Sequence, residues 1–226
     1  MTLTLYLHPL SSFCHKALVA LYENETPFEA VTVNFGDSES REALFSRWPI
    51  GKIPVLHDSD TGMDIPETSI MIEYVQQHYP GAAQLLPVDA EQTLQTRLWD
   101  RFFDLYVHIP MQRIVGERLR PADCLDPHGV TEAFAMLDKA YAVLEKHITG
   151  RLWTGADHFS MADCAASPAL FYASILHPFK DDMPNTKAYF ERLMERPSVK
   201  RTIAEARPYF QYFPYNEKMP PCFLQG

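Results

Sequence analysis

The chain has 226 residues, 46% of them apolar and 12% aromatic, with a net charge of −9. That length suits two domains of roughly 100 residues each, with enough apolar side chains for two cores. The acidic balance excludes a basic surface for nucleic acid or anionic lipid, and no apolar run approaches the roughly 20 residues of a membrane-spanning helix.

Leu3, Leu5 and Leu7 alternate with Thr4, Tyr6 and His8, a period of two that predicts a strand. No basic flank precedes it, so it does not read as a signal peptide. Ser11-Ser12 then precede a helical stripe through Phe13, Ala17, Ala20 and Leu21. Phe28 to Val33 is a second strand candidate and Glu39 to Phe45 a short helix. Ile53 to His57 and a stretch near Met63 predict a hairpin across Asp58-Ser59-Asp60-Thr61-Gly62. Thr68 to Tyr79 is expected to be helical, with Ile70, Met71, Tyr74 and Val75 inward.

Pro80-Gly81 stops that helix, and residues 81–88 read as a linker after a first domain of residues 1–80. Beyond it strand signals vanish. Leu94, Leu98, Phe102, Leu105 and Ile109 recur at helical spacing, as do Val130, Phe134, Leu137, Tyr141, Leu144 and Ile148. Residues 89–226 are therefore expected to form an all-helical second domain. Pro110 should kink its first long helix, and the tail from Pro208 should be irregular. The cysteines, Cys14, Cys124, Cys164 and Cys222, lack C-x-x-C spacing and fit a reducing, cytoplasmic setting better than a disulfide framework. The histidines fall into no metal-ligand spacing, and no nucleotide-binding glycine motif occurs, so neither a metal nor a nucleotide is expected.

The most informative stretch is Trp48-Pro49-Ile50-Gly51-Lys52-Ile53-Pro54-Val55-Leu56, followed by Ile65-Pro66-Glu67-Thr68-Ser69-Ile70. Proline is excluded from central strands except at their first residue, so Ile53-Pro54 is either an edge-strand start or a cis bend. A cis bend leaves the backbone N–H and C=O of Ile53 free to pair with the backbone of a ligand. Glutathione, a peptide thiol, is such a ligand.

With these residues the chain resembles the glutathione S-transferase superfamily. The β-α-β-α-β-β-α order of the first domain is the thioredoxin-like arrangement of that family's glutathione-binding half, and an all-helical domain follows it there. The resemblance implies that Ile53, before a cis Pro54, pairs with the cysteinyl backbone of glutathione. Glu67 would meet its α-amino group, Thr68 its α-carboxylate, and Lys52 its glycyl carboxylate. Without a ligand, Glu67-Thr68 would be a capped helix start with a first-turn acid, and Lys52 a solvated lysine.

Ser11 and Ser12 carry two readings. A Ser at a helix start caps an orphan N–H. The same helix end, with its partial positive charge and free donors, also stabilises an anion such as a thiolate, and thiols near pKa ~8.5 need that help at neutral pH. Pro9-Leu10-Ser11-Ser12-Phe13-Cys14-His15-Lys16 resembles the Ser-type members, in which a Ser after the first strand activates glutathione and a basic residue lies a turn further on. It is also similar to the C-P-Y-C site of glutaredoxins, with Ser11 in place of the first Cys and Cys14 at the second. Ser11 is the favoured catalytic residue and Ser12 its rival, because no Pro separates Ser11 from Phe13. Cys14 has the choice between thiol exchange and an inert buried side chain.

Phe159-Ser160-Met161-Ala162-Asp163 is a capping box and resembles the one that opens the buried helix of the family's second domain. Phe103, Tyr106, His108, Met111 and Tyr172 are candidates for an electrophile pocket, against the alternative of core packing. The implied activity is conjugation of the glutathione thiolate to a hydrophobic electrophile. Isomerase or lyase chemistry on the same thiolate is an alternative, as is a non-catalytic binding protein. The Ser-Ser start is similar to the branch that isomerises maleylacetoacetate, from which Phe13 departs. A homodimer is expected from the resemblance, with Asp104 either solvated or reaching the neighbouring glutathione site.

Overall fold

A computed structural model of the protein describes residues 2–224. Four strands form one mixed sheet in the order β2-β1-β3-β4. These are β1 (Leu3–Leu7), β2 (Glu29–Thr32), β3 (Val55–Asp58) and β4 (Met63–Pro66). β1 is parallel to β2, with Leu5 opposite Ala30, and antiparallel to β3, with Leu5 opposite Leu56. The period-two pattern of β1 works as expected, since Leu3, Leu5 and Leu7 are buried. Three helices flank the sheet: α1 (Ser12–Glu23), α2 (Ser38–Arg47) and α3 (Thr68–His78). The sheet and its helices are the thioredoxin-like half, and the rest of the chain is helical.

α1 is buried all round, and each side serves a different core. Cys14, Ala17, Leu18 and Leu21 pack with the sheet and α3. Val19 and Ala20 pack instead with the helices of the second half. A helix apolar on every face has to be enclosed, and this one is the seam between the two halves.

The helical half comprises α4 (Ala90–Phe102), α5 (Ile109–Glu117), α6 (Pro127–Ile148), α7 (Met161–Leu176), α8 (Pro184–Met194), α9 (Pro197–Ala206) and the short α10 (Pro221–Leu224). α7 is its central helix and is almost wholly buried. Its capping box is formed as expected: Asp163 accepts from Ser160 N–H at 2.9 Å. Asp163 also accepts from the Thr154 N–H at 3.1 Å and the Tyr189 hydroxyl at 2.6 Å, so the loop before α7 and α8 are tied to one carboxylate.

Several elements depart from the sequence expectation. Ile70 is exposed: the buried face of α3 centres on Met71 and Val75, and Ile70 lies at its margin, one turn before Tyr74. The stripe Leu94, Leu98, Leu105 and Ile109 is exposed. The buried side of that helix is Thr96, Trp99, Asp100, Phe103 and Val107. Pro110 lies in the first turn of α5. The turn before it, Phe103–His108, widens to π geometry, with the Ile109 N–H reaching back to the Asp104 carbonyl, and α5 continues. The tail is more regular than expected: 3-10 turns at Arg207–Tyr212 and Asn216–Lys218 bury Phe210, Phe213 and Met219. Among the described residues no helix is long and apolar enough to cross a membrane, and no cluster of side chains is arranged to hold a metal.

Candidate active site

Where the two halves meet lies an open cleft of about 510 Å³, within the range of roughly 300–1,000 Å³ common for small-molecule sites. Its walls include Ser11, Lys52, Ile53, Pro54, Glu67 and Thr68. Residues scattered over the first half are thus gathered at one place by the ends of β1, β3 and β4.

Each arrives by a specific local device. Ser11 is the N-cap of α1, its Oγ accepting the Cys14 N–H at 3.4 Å. The Ile53-Pro54 bond is cis, and β3 begins just after it at Val55. Among the described residues neither the N–H nor the C=O of Ile53 makes a backbone hydrogen bond. Glu67 is the N-cap of α3 with φ 65°, a left-handed conformation uncommon for a side chain of this size, and its carboxylate makes no capping bond. Strain of this kind persists where the surrounding structure enforces it, and it concentrates at ligand sites. Gly51 holds φ 70°, and a Cβ there would meet the Phe45 ring at 2.5 Å, so the turn before Lys52 requires glycine.

Ser12 and Cys14 are placed differently from Ser11. Ser12 is buried, and its hydroxyl meets Gln112 of α5 at 3.5 Å. Cys14 is fully buried against the sheet, and burial pushes its thiol up to about 12, despite hydrogen bonds from Ser11 and His8. The low-pKa thiol that thiol exchange requires is therefore absent at Cys14. His15 is also buried, which pushes it down to about 4. Its neutral ring donates from Nε2 to the Pro9 carbonyl at 2.6 Å and so fastens the loop that carries Ser11.

Lys16 does not point into the cleft. Its Nζ is buried between Asp100 Oδ1 at 2.6 Å and Asp104 Oδ2 at 2.7 Å, with Ser69 Oγ at 3.0 Å. Arg101 joins the group from the solvent side. Burial raises the Asp104 carboxyl, but the Lys16 ammonium and His108 outweigh it and hold the group at about 2. Asp104 is thus neither solvated nor directed out of the subunit. It is one of the pins between α1, α3 and α4.

Two family models account for most of the chain. The glutathione S-transferase N-terminal domain matches residues 1–77 and the C-terminal domain residues 126–197. The chain belongs to the glutathione S-transferase family. A glutathione S-transferase-like protein (LUC7) of Fusarium sp is 33% identical over 70% of this chain and 73% of its own length. A glutathione S-transferase of Pseudomonas putida is 27% identical over 90% and 92%. The crystal structure of a Methylobacillus flagellatus glutathione S-transferase with glutathione bound superposes with a TM-score of 0.81 at 25% identity, over 89% of this chain and 98% of that one. The Phanerochaete chrysosporium transferase URE2P8, solved with oxidized glutathione, shares the fold at 21% identity, a TM-score of 0.81, and 93% and 97% coverage.

Against this glutathione S-transferase frame, the cleft's second side differs from expectation. Phe103, Met111 and Tyr172 are core residues, buried in the helical half. His108 is buried behind the cleft, and Tyr106 is exposed but is not among its lining residues. The wall is made by Phe13, Phe35, Trp48, Ile109 and Gln112. Sequence held one signal for them: Phe13 follows the Ser pair directly, and Trp48 opens the segment that leads to Ile53-Pro54. Ile109 and Gln112 were hidden because the π turn rotates the face of α5 relative to a regular helix. The Trp48 indole N–H is buried without a partner among the described residues.

Proposed function

We propose that the protein is a glutathione transferase that conjugates the glutathione thiolate to a hydrophobic electrophile, with Ser11 as the thiol-activating residue. The observation that carries this reading is the Ser11 hydrogen bond. Its oxygen accepts the Cys14 N–H while the residue lines the cleft, so the N-cap holds this hydroxyl at the wall along which a bound thiol would lie. The capping and catalytic readings of Ser11 are therefore one geometry.

In this mechanism the tripeptide lies along the first half of the cleft. The unpaired N–H and C=O of Ile53 bind the cysteinyl backbone. Glu67 accepts from the α-amino group, and the Thr68 hydroxyl and the free N–H groups of the α3 start hold the α-carboxylate. Lys52 takes the glycyl carboxylate. The thiol loses its proton to solvent as Ser11 and the α1 N-terminus stabilise the thiolate. Sulfur then forms a bond to the electrophilic carbon, and the leaving group departs with the displaced electron pair. Positioning two reactants at one cleft supplies the remaining acceleration. The four cysteines, all free, suit a cytoplasmic location.

The reading extends to a homodimer. Ile70 on α3 and Leu94, Leu98 and Leu105 on the α4 side are 58%, 60%, 56% and 44% exposed. α3 and α4 are neighbours, bridged by Glu73 and Arg97 at 2.7 Å. A two-fold pairing of this face would cover the open apolar surface. Calorimetric titration with glutathione, paired with turnover of an aryl halide by the wild-type protein and Ser11→Ala, tests the enzyme reading. Binding without turnover of any electrophile would assign a binding protein instead.

A further inference from the structure

Phe13, in the first turn of α1 two residues after the Ser11 cap, is an aromatic part of the cleft wall, and a buried histidine stands behind it. The Phe13 and His108 rings are 4.5 Å apart, tilted by 35°. His108 lies on the π turn and is completely buried. Its Nδ1 is 3.3 Å from Asp104 Oδ1. Asp104 is in turn held through its other oxygen by Lys16 at 2.7 Å and by Arg101. An ionised carboxylate only accepts, so Nδ1 carries a proton, and burial, which lowers the His108 pKa, favours the neutral ring with Nε2 bare. Nε2 is buried and without a partner among the described residues. The imidazole is therefore fixed at one edge and turned toward Phe13 with no competing hydrogen bond to rotate it.

The consequence falls on the cleft. His108 packs against the Phe13 ring, and Phe13 lines the cleft beside Ser11, Ile109 and Gln112. Phe13 thus shares a wall with Ser11, within reach of whatever a bound thiolate would attack. An aromatic ring offers a flat partner a stacking gain beyond simple area burial. A flexible alkyl chain draws no such gain.

Building on the transferase reading, we infer that His108 is a positioning residue that holds Phe13 as a stacking platform, and that the cleft thereby selects planar aromatic electrophiles over flexible alkyl ones. The chain of contacts runs from Lys16 through Asp104 and His108 to Phe13, so the ion pair that joins the two halves also sets one wall of the substrate site.

Two ready-made conjugates read this without any turnover: S-(dinitrophenyl)glutathione and S-hexylglutathione, titrated by calorimetry alongside glutathione itself. The quantity of interest is the ratio of the two conjugate affinities. His108→Ala and Phe13→Leu should each shift that ratio against the aryl conjugate by roughly 3–10-fold, the size of one aromatic pair. The double variant should shift it no further, and glutathione affinity should stay within about twofold. His108→Phe keeps a ring behind Phe13 and should keep the wild-type ratio. An unchanged ratio in His108→Ala, or an equal loss for glutathione itself, overturns the inference. If His108→Ala does not fold, Phe13→Leu on the cleft wall carries the same decision. A wild-type protein that binds none of the three ligands overturns the glutathione reading and the platform together. Glutathione binding with an unmoved ratio overturns the platform alone.

Discussion

Ser11 Oγ accepts the backbone N–H of Cys14 at 3.4 Å, and of the neighbours Ser11, Ser12 and Cys14 it is Ser11 that lines the cleft. That bond anchors the Ser11 hydroxyl at the mouth of α1. Cys14 is turned inward to the sheet, and Ser12 is enclosed between the halves. Ser11→Ala should raise the apparent pKa of bound glutathione and lower kcat by on the order of 10²-fold or somewhat less. Glutathione affinity should change little. The lost cap should also cost about 1 kcal/mol of stability. Ultraviolet titration of the bound thiolate, together with kcat, checks the outcome. A large loss in Ser12→Ala with full activity in Ser11→Ala would move the role to Ser12.

Cys14→Ala should retain turnover, because a thiol at about 12 is protonated at neutral pH and its side chain is sealed in the core. Iodoacetamide should label the exposed Cys124 and Cys222 of the native protein and leave Cys14 and Cys164 unmodified. Mass spectrometry of the labelled peptides decides this. Loss of activity in Cys14→Ala with a normal melting temperature would return thiol exchange to consideration.

How far the site could be read from sequence depends on whether its parts are local. Ser11, Ile53-Pro54 and Glu67-Thr68 announce themselves because a cap, an X-Pro bond and a helix start are properties of a few adjacent residues. The β1 alternation and the α7 capping box were legible for the same reason. The left-handed backbone of Glu67 was not, since nothing in a Pro-Glu-Thr run demands it. On α4 the apolar period was visible, but periodicity shows that a face exists and not what covers it. Leu94 and Leu98 carry that period yet are exposed, while Thr96 and Asp100 are buried. Asp100 and Asp104 can be buried because Lys16, distant in sequence, is buried with them. The far wall of the cleft was hidden for a related reason: a π turn precedes Ile109, which lines the cleft with Gln112, while His108 on that turn is buried.

Glu67→Gln should weaken glutathione binding by roughly 1–2 kcal/mol, the difference between a charge-assisted and a neutral hydrogen bond. Stability should not fall, because the Glu67 carboxylate makes no capping bond in α3. Calorimetry and a melting curve on the same sample separate the two effects. Unchanged affinity in Glu67→Ala would remove this residue from the site.

The Lys16 cluster predicts a pH signature. The folded Asp104 carboxyl at about 2 lies below the unfolded value of about 3.9. A depressed carboxyl contributes stability that is fully present above the unfolded pKa and is lost as pH falls from there through about 2. Lys16→Met strands Asp100 and Asp104 without their buried cation, which should cost roughly 3–5 kcal/mol at neutral pH. Deprived of the ammonium, the Asp104 carboxyl should protonate more readily, so the penalty should shrink as pH is lowered from 7 to about 4. Urea midpoints of both proteins across that range test this. A penalty independent of pH would mean that packing, not charge, is what Lys16 provides.

The open face of α3 and α4 predicts the state of assembly. Sedimentation at micromolar protein should give about twice the 25.9 kDa of one chain. Leu98→Asp places a charge at the centre of the proposed contact, where a second copy would have to desolvate it, and should return the protein to monomer. Leu98 is already 56% exposed in the subunit, so the fold itself should tolerate the change. The Asp104 carboxylate plays no part in that contact, since it is spent on Lys16 and Arg101 within its own subunit. Each subunit should then keep a complete glutathione site, and monomeric Leu98→Asp should bind glutathione with near wild-type affinity. A monomeric wild-type protein would remove the dimer while leaving Ser11, Ile53, Glu67 and Thr68 in place. A monomeric Leu98→Asp that no longer binds glutathione would instead show that the neighbouring subunit completes the site.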